Sequence, residues 1–229
     1  MNLNILYEDK EILIVEKPVG IESQSARSFE PDMVSEVKRH IHTLSPKSGE
    51  PYVGVIHRLD KPVGGVMVYA KTKNAAESLS RQVSGHETDK MYYAVVCGKP
   101  VENFGTYVDY LWKDGKNNSS KIVEKGIKGA KAAELDFKIV DNKELQGEEL
   151  SLLEIRLKTG RHHQIRVQMA GHGTPLWGDQ KYNPRFQQKG IRTNVALFAS
   201  SLTITHPVTG KKMTFYVKPK GEMFDLFSL

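Results

Sequence analysis

GVIHRLDKPVGGVMVYAKT, residues 54–72, carries two apolar runs joined by a charged turn. Residues 53–56 form a short β-rich run that leads into His57-Arg58-Leu59-Asp60. Pro62 and Gly64-Gly65 then turn the chain, and residues 66–70 leave as a second apolar strand. Working outward, residues 3–7 and 11–15 read as short strands around a turn-like Asp9-Lys10, and 92–96 as a buried strand. Val34, Val37, Ile41 and Leu44 recur at helical spacing behind Asp32, a candidate N-cap, which predicts a helix over 32–44. Ala75, Ala76, Leu79 and Val83 predict another over 74–84, and residues 162–170 suit a third, stopped by Gly171-His172-Gly173. Residues 113–121 read as a polar hairpin-like loop. Strands are expected over 131–140 and 150–158, joined by a polar loop, and again over 195–205 and 213–217. Helices and strands mix without regular β–α alternation. This predicts an α+β fold with a mixed, mostly antiparallel central sheet flanked by helices and loops.

At 229 residues the chain is expected to form one domain over 1–229. A chain of this size buries roughly 70–75% of its unfolded surface, so it needs neither disulfide nor metal to fold. Cys97 is the only cysteine, which excludes an internal disulfide and fits a reducing cytosol. No apolar run approaches the length of a membrane span, and Glu8, Asp9, Lys10 and Glu11 stand where a signal peptide would be apolar. The net charge of +6 is unevenly spread. Residues 156–192 hold eight basic side chains against Asp179 alone, and residues 113–131 hold six lysines against Asp114 and Glu124. Concentrated positive charge is the footprint of a polyanion binder, although a solvated face has the same composition.

Three clusters can carry chemistry. Asp60 stands where a strand becomes a turn, a place that holds a side chain rigidly at the edge of a pocket; a turn aspartate bonded to its own backbone is the plainer reading. In LKTGRHHQIRVQMAGHG (157–173), Gly160 permits a tight turn beside Arg161. Arg166 falls among Ile165, Val167 and Met169, where it needs an anionic partner such as Asp60 or a phosphate. His162 and His163 are adjacent and so do not share a helical face, which argues against a metal site. In DKMYYAVVCG (89–98), Lys90 and Tyr92 share one side of a strand and Tyr93 takes the other; a tyrosine there can stack on a base or pack in the core.

Together and in this order these segments resemble the RluA family of pseudouridine synthases. The resemblance rests on EDKEILIVEKPVG (8–20), HRLD (57–60), Lys90 and Tyr92, TGRHHQIRV (159–167), and Gly178, Asp179 and Tyr182. It runs from about residue 7 to 219. It implies an isomerase with a catalytic cleft across the sheet that turns uridine in structured RNA, ribosomal or transfer, into pseudouridine after flipping the base. The reaction has no net redox change and no group donor, so no cofactor and no metal is expected. By resemblance Asp60 is the essential carboxylate, Tyr92 stacks on the flipped uracil and Arg166 pairs with Asp60. Arg58, Lys90, Arg161, His163, Gln164, Lys181, Arg185 and Arg192, with Lys189, are the implied RNA contacts. The chain starts directly at the matched catalytic domain, so the small amino-terminal RNA-binding module that many relatives carry is expected to be absent. A cytoplasmic protein with no obligate protein partner is expected, with a monomer as the default because the sequence is silent on oligomeric state.

Two departures stand beside the matched residues. Pro62, Val63, Gly64 and Gly65 replace the polar Asp-Thr-Ser-Gly that often follows HRLD, and His162 replaces the usual threonine of GRTHQIR. Both bear on substrate preference more than on the reaction. A non-catalytic RNA-binding protein on the same fold is the alternative, against which the matches at Asp60, Tyr92 and Arg166 argue. A protein kinase reading of HRLDKP fails, because no glycine-rich phosphate loop is present and the chain is too short for two lobes.

Overall fold

A computed structural model describes residues 2–25, 31–46, 49–187 and 193–229. The chain divides into two compact units, Met1–Asp89 with Ala199–Val217, and Lys90–Phe198 with Lys218–Leu229.

The first unit contains β1 (Asn4–Glu8), β2 (Ile12–Lys17), α1 (Met33–Leu44), β3 (Gly54–Val55), β4 (Gly64–Ala70) and α2 (Lys73–Ser84). Most of β10 (Leu197–Thr205) and all of β11 (Lys212–Tyr216) complete it. Its strands run in the order β1-β2-β4-β10, with β11 beside β10 and β3 beside β4. The β1·β2, β2·β4, β3·β4 and β10·β11 pairs are antiparallel. Every residue of β2 and β4 is buried, which is why both read as continuous apolar runs rather than as alternating ones. Asp32 caps α1 by accepting from the Ser35 N–H at 2.7 Å, and Met33 and Val37 face inward. Thr72 caps α2 in the same way, from the Ala75 N–H at 3.2 Å.

The second unit contains β5 (Asp89–Cys97), β6 (Phe104–Asp114), β7 (Ser119–Val123), β8 (Lys131–Leu145), β9 (Glu148–Leu157) and α3 (Gln164–Gly171). A single 3₁₀ turn (Pro184–Phe186) and α4 (Glu222–Asp225) follow. Its strands run β5-β9-β8-β6-β7. All four of these pairings are antiparallel. The α+β class and the mainly antiparallel pairing predicted from sequence are therefore both found. Two local expectations are corrected. The polar stretch 141–148 is not a loop: β8 and β9 continue through it to Gln146-Gly147, whose φ values of 53° and 78° make a two-residue hairpin turn. Residues 104–112, unassigned from sequence, form most of β6. No helix among the described residues is long and apolar enough to cross a membrane.

Gly65 shows why the turn after HRLD is built from glycine. Its φ is +127°, and an added Cβ would lie 2.7 Å from Ala199 Cβ and overlap the Ala199 carbonyl oxygen. Gly65→Ala is expected to destabilise the protein by about 3 kcal/mol or more through strain and overlap. Calorimetry should read this as a fall in Tm of roughly 6–12 °C.

Candidate active site

In the first unit, backbone bonds fix the HRLD segment on both sides of Asp60. Leu59 N–H donates to Ser23 Oγ at 3.0 Å, and that hydroxyl donates to the Leu59 carbonyl at 2.7 Å. The Asp60 carbonyl accepts from Val63 N–H at 2.9 Å, and the Lys61 carbonyl from Gly20 N–H at 2.8 Å. Lys17 closes the cradle: its ammonium donates to the carbonyls of Ile21 (2.6 Å), Pro18 (2.9 Å) and Lys61 (3.3 Å). Asp60 is half-buried and Arg58 is exposed. Lys17 is wholly buried. Burial pushes its pKa down to about 8, against the opposing pull of the Asp60 charge. Sequence reading gave Lys17 no role; the available signal was a Glu16-Lys17 pair closing the apolar run 12–15 immediately before Pro18.

In the second unit, Gln164 organises the Thr159-Gly160-Arg161 turn. Its Oε1 accepts from Thr159 Oγ1 (2.8 Å) and Arg161 N–H (2.9 Å), while Nε2 donates to the Glu134 carbonyl at 3.0 Å. His163 precedes α3 in the left-handed region, φ 54°. Its Nδ1 lies 2.7 Å from the Tyr182 hydroxyl, which also accepts from Ser120 N–H at 2.8 Å. His162 and His163 stack with ring centroids 3.8 Å apart. Among the described residues no cluster of three or more metal-ligating side chains forms.

Arg166 forms a buried ion pair with Asp179. Nε donates to Oδ2 and Nη2 to Oδ1, each at 2.8 Å, a bidentate fork in which Asp179 is fully buried. Asp179 Oδ1 also accepts from the N–H groups of Lys181 (2.9 Å) and Tyr182 (3.2 Å), and the Tyr182 ring lies 5.3 Å from the guanidinium. Gly178 enters this turn at φ +74°, where a Cβ would stand 2.8 Å from the Asn194 carbonyl carbon. Asp179 is a partner that the sequence reading did not name for Arg166; its signal was the Gly178–Asp179–Tyr182 pattern.

Tyr92 is buried on β5 opposite Ile155. Lys90, two residues earlier, brings its ammonium to 3.8 Å from the point a Gly160 Cβ would occupy, and burial holds its pKa below the usual lysine range. Arg161 donates from Nε to the Ala132 carbonyl at 2.7 Å. Lys181 donates to the Asn117 carbonyl at 3.1 Å. Arg185 pairs with Glu148 and lies 4.9 Å from the Trp177 ring. Lys189 and Arg192 fall outside the described residues.

Asp179→Asn should remove the charge from the buried fork with Arg166, a loss of about 3–5 kcal/mol. The expected fall in Tm is on the order of 10 °C; an unchanged Tm would show that other groups carry the guanidinium. Lys17 gives a pH signature. Its folded pKa near 8 lies below the unfolded value of 10.5, so between these values the unfolded chain binds more protons and stability rises with pH. Urea titrations across pH 8–10.5 should show this rise, at most about 3 kcal/mol, in wild type and lack it in Lys17→Met.

Residues 11–171 match the family model of RNA pseudouridylate synthases. The chain is 35% identical over 228 residues to the uncharacterized RNA pseudouridine synthase YlyB of Bacillus subtilis, covering 99% of this chain and 72% of that protein. It is 33% identical over 217 residues to the dual-specificity RNA pseudouridine synthase RluA of Salmonella typhi, covering 94% and 92%. Among solved structures, human RNA pseudouridylate synthase domain containing 4 shares the fold with a TM-score of 0.77 at 21% identity, over 97% of this chain and 90% of that one.

Proposed function

Because the chain belongs to the RNA pseudouridylate synthase family and is thereby an isomerase, we propose that it converts one uridine of a structured RNA, ribosomal or transfer, into pseudouridine, with Asp60 as the essential carboxylate. One observation carries this assignment: the family match includes the HRLD segment, and that segment is clamped by its backbone while the aspartate side chain stays half-exposed. A reacting carboxylate needs a fixed position and an exposed face, and the clamped backbone and half-exposed side chain support the reading on both counts.

In the proposed reaction the glycosidic C–N bond breaks, the uracil turns, and a C–C bond forms between the same sugar and carbon five, which gives up its proton. Asp60 acts either by attacking the anomeric carbon or by abstracting a sugar proton to form a glycal. Tyr92 stacks on the uracil and its hydroxyl assists removal of the carbon-five proton. The target leaves its stack at a cost of a few kcal/mol. Arg58, exposed on the HRLD segment, fills the vacated space with its guanidinium plane. Arg161 and Lys181 contact phosphates, aided by Arg185, Lys189 and Arg192, while Gln164 and His163 order the turn that presents Arg161. We propose that the protein works as a monomer in the cytoplasm.

RNA transcribed with uridine tritiated at carbon five tests the reading. Wild type should release tritium, and Asp60→Asn should release none while its RNA affinity stays within about twofold, since a neutral isostere leaves the phosphate contacts in place. Turnover retained in Asp60→Asn would remove the carboxylate from the chemistry.

A further inference from the structure

The six lysines of residues 113–131 have no part in the reaction described above. Lys113, Lys116, Lys121, Lys125, Lys128 and Lys131 are all exposed, and among the described residues none of them is in an ion pair. Of the two opposing acids, Asp114 is turned into its own hairpin: it accepts from the N–H groups of Lys116 (3.0 Å) and Asn117 (3.2 Å) and from Asn117 Nδ2 (2.7 Å). Lys121 lies over the Trp112 ring at 5.1 Å. The segment is therefore a β6–β7 hairpin, with the turn that follows it, whose outer surface is strongly positive.

A charged hairpin extended into solvent would be mobile and would contribute little directed binding. This one is tied down by two sets of contacts. Leu111, Ala133 and Val167 form a buried cluster, with Ile122 and Tyr182 packed against it, so the inner face of the hairpin is glued to α3. Above that cluster His162 acts as a clasp. Its Nδ1 is 2.9 Å from Ser120 Oγ, its carbonyl accepts from the same hydroxyl at 2.9 Å, and its Nε2 is 3.2 Å from Asn118 Oδ1. Lys181 adds its bond to the Asn117 carbonyl, which sets its own ammonium at the hairpin turn. Both basic stretches of the sequence are thus fastened edge to edge.

We propose that the β6–β7 hairpin is an RNA-docking arm, clasped by His162 against the segment carrying Arg161 and Lys181 so that the lysines of both form one phosphate-binding track for RNA flanking the target uridine. This rests on the RNA reading above. A polyanion is the fitting partner because the track is cationic, exposed and little neutralised, and because a fixed row of ammonium groups suits the repeated charges of a nucleic-acid backbone. His162 is a positioning residue: it touches the arm rather than the nucleotide.

The test combines three variants of the full chain with RNA tritiated at uridine carbon five. Lys121/Lys125/Lys128→Ala should raise KM and Kd about tenfold near 0.15 M salt and make the log–log salt slope shallower by about 2. The loss should fall on KM rather than kcat. A matched triple in the other unit, Lys10/Lys73/Lys211→Ala, should leave the slope unchanged; an equal loss there would reduce the effect to net charge and overturn the proposal. His162→Ala should raise KM, and His162→Asn, which keeps a polar atom facing Ser120, should restore it. Unchanged KM and slope in the lysine triple, or an unchanged KM in His162→Ala, would overturn the arm. Wild type without turnover, but with RNA affinity that the lysine triple loses, would sink the synthase reading and leave the arm standing.

Discussion

The buried fork between Arg166 and Asp179 is the constraint from which the second unit's chemistry-bearing segment takes its shape. Two charges removed from water this completely are stable only when their remaining hydrogen-bonding capacity is met. Asp179 meets it with four donors, two from the guanidinium and two from the backbone of its own turn. That requirement fixes the chain from Gly178 to Tyr182, and Tyr182 in turn receives Ser120 and His163. A helix of eight residues with no side-chain N-cap has little stability of its own. α3 stands because its side chains are held from outside, by Asp179 on one side and by Gln164 reaching the Glu134 carbonyl on the other.

The HRLD segment solves a similar problem by different means. Its position is set by carbonyls and N–H groups, with Ser23 and Lys17 as the side chains that bind them. A buried ammonium surrounded by three carbonyls is a costly fastening, as the depressed pKa of Lys17 records. What it achieves is a rigid backbone on either side of Asp60 that does not itself bury the carboxylate.

What the sequence discloses follows from how local each determinant is. The cap of α1 and the apolar face of α2 depend on residues three or four apart, and Asp32 acts where the pattern puts a helix start; of the stripe read on α1, however, Val37 is buried and Leu44 is exposed, while Met33 turns inward instead. β2 and β4 announce themselves because they are buried on both faces. β6 does not: Phe104 and Val108 are exposed while Leu111 is buried, so apolarity and burial part company along it. The outer ends of β8 and β9 are polar because they form a two-stranded ribbon with little to pack against, and only the backbone of Gln146-Gly147 marks them as hairpin. The site divides the same way. Asp60, Tyr92 and Arg166 could be named as candidates from motif and order, whereas the Asp179 fork on Arg166, the cradle of Lys17 and the internal bonds of Gln164 depend on contacts that no spacing rule encodes.

The two departures from the family pattern become intelligible on this footing. In the stretch after HRLD, Val63 sends its side chain into the core while its N–H caps the Asp60 carbonyl, and Gly65 admits the Ala199 backbone. An apolar side chain can replace a polar one there because the Asp60 loop is held by backbone groups. At the second departure, an imidazole reaches both Ser120 and Asn118, with two nitrogens on opposite sides of one ring. A threonine hydroxyl has one reactive atom close to the backbone and cannot span both. The first change thus leaves the presentation of the carboxylate intact, while the second alters how a cationic hairpin is joined to the turn beside it.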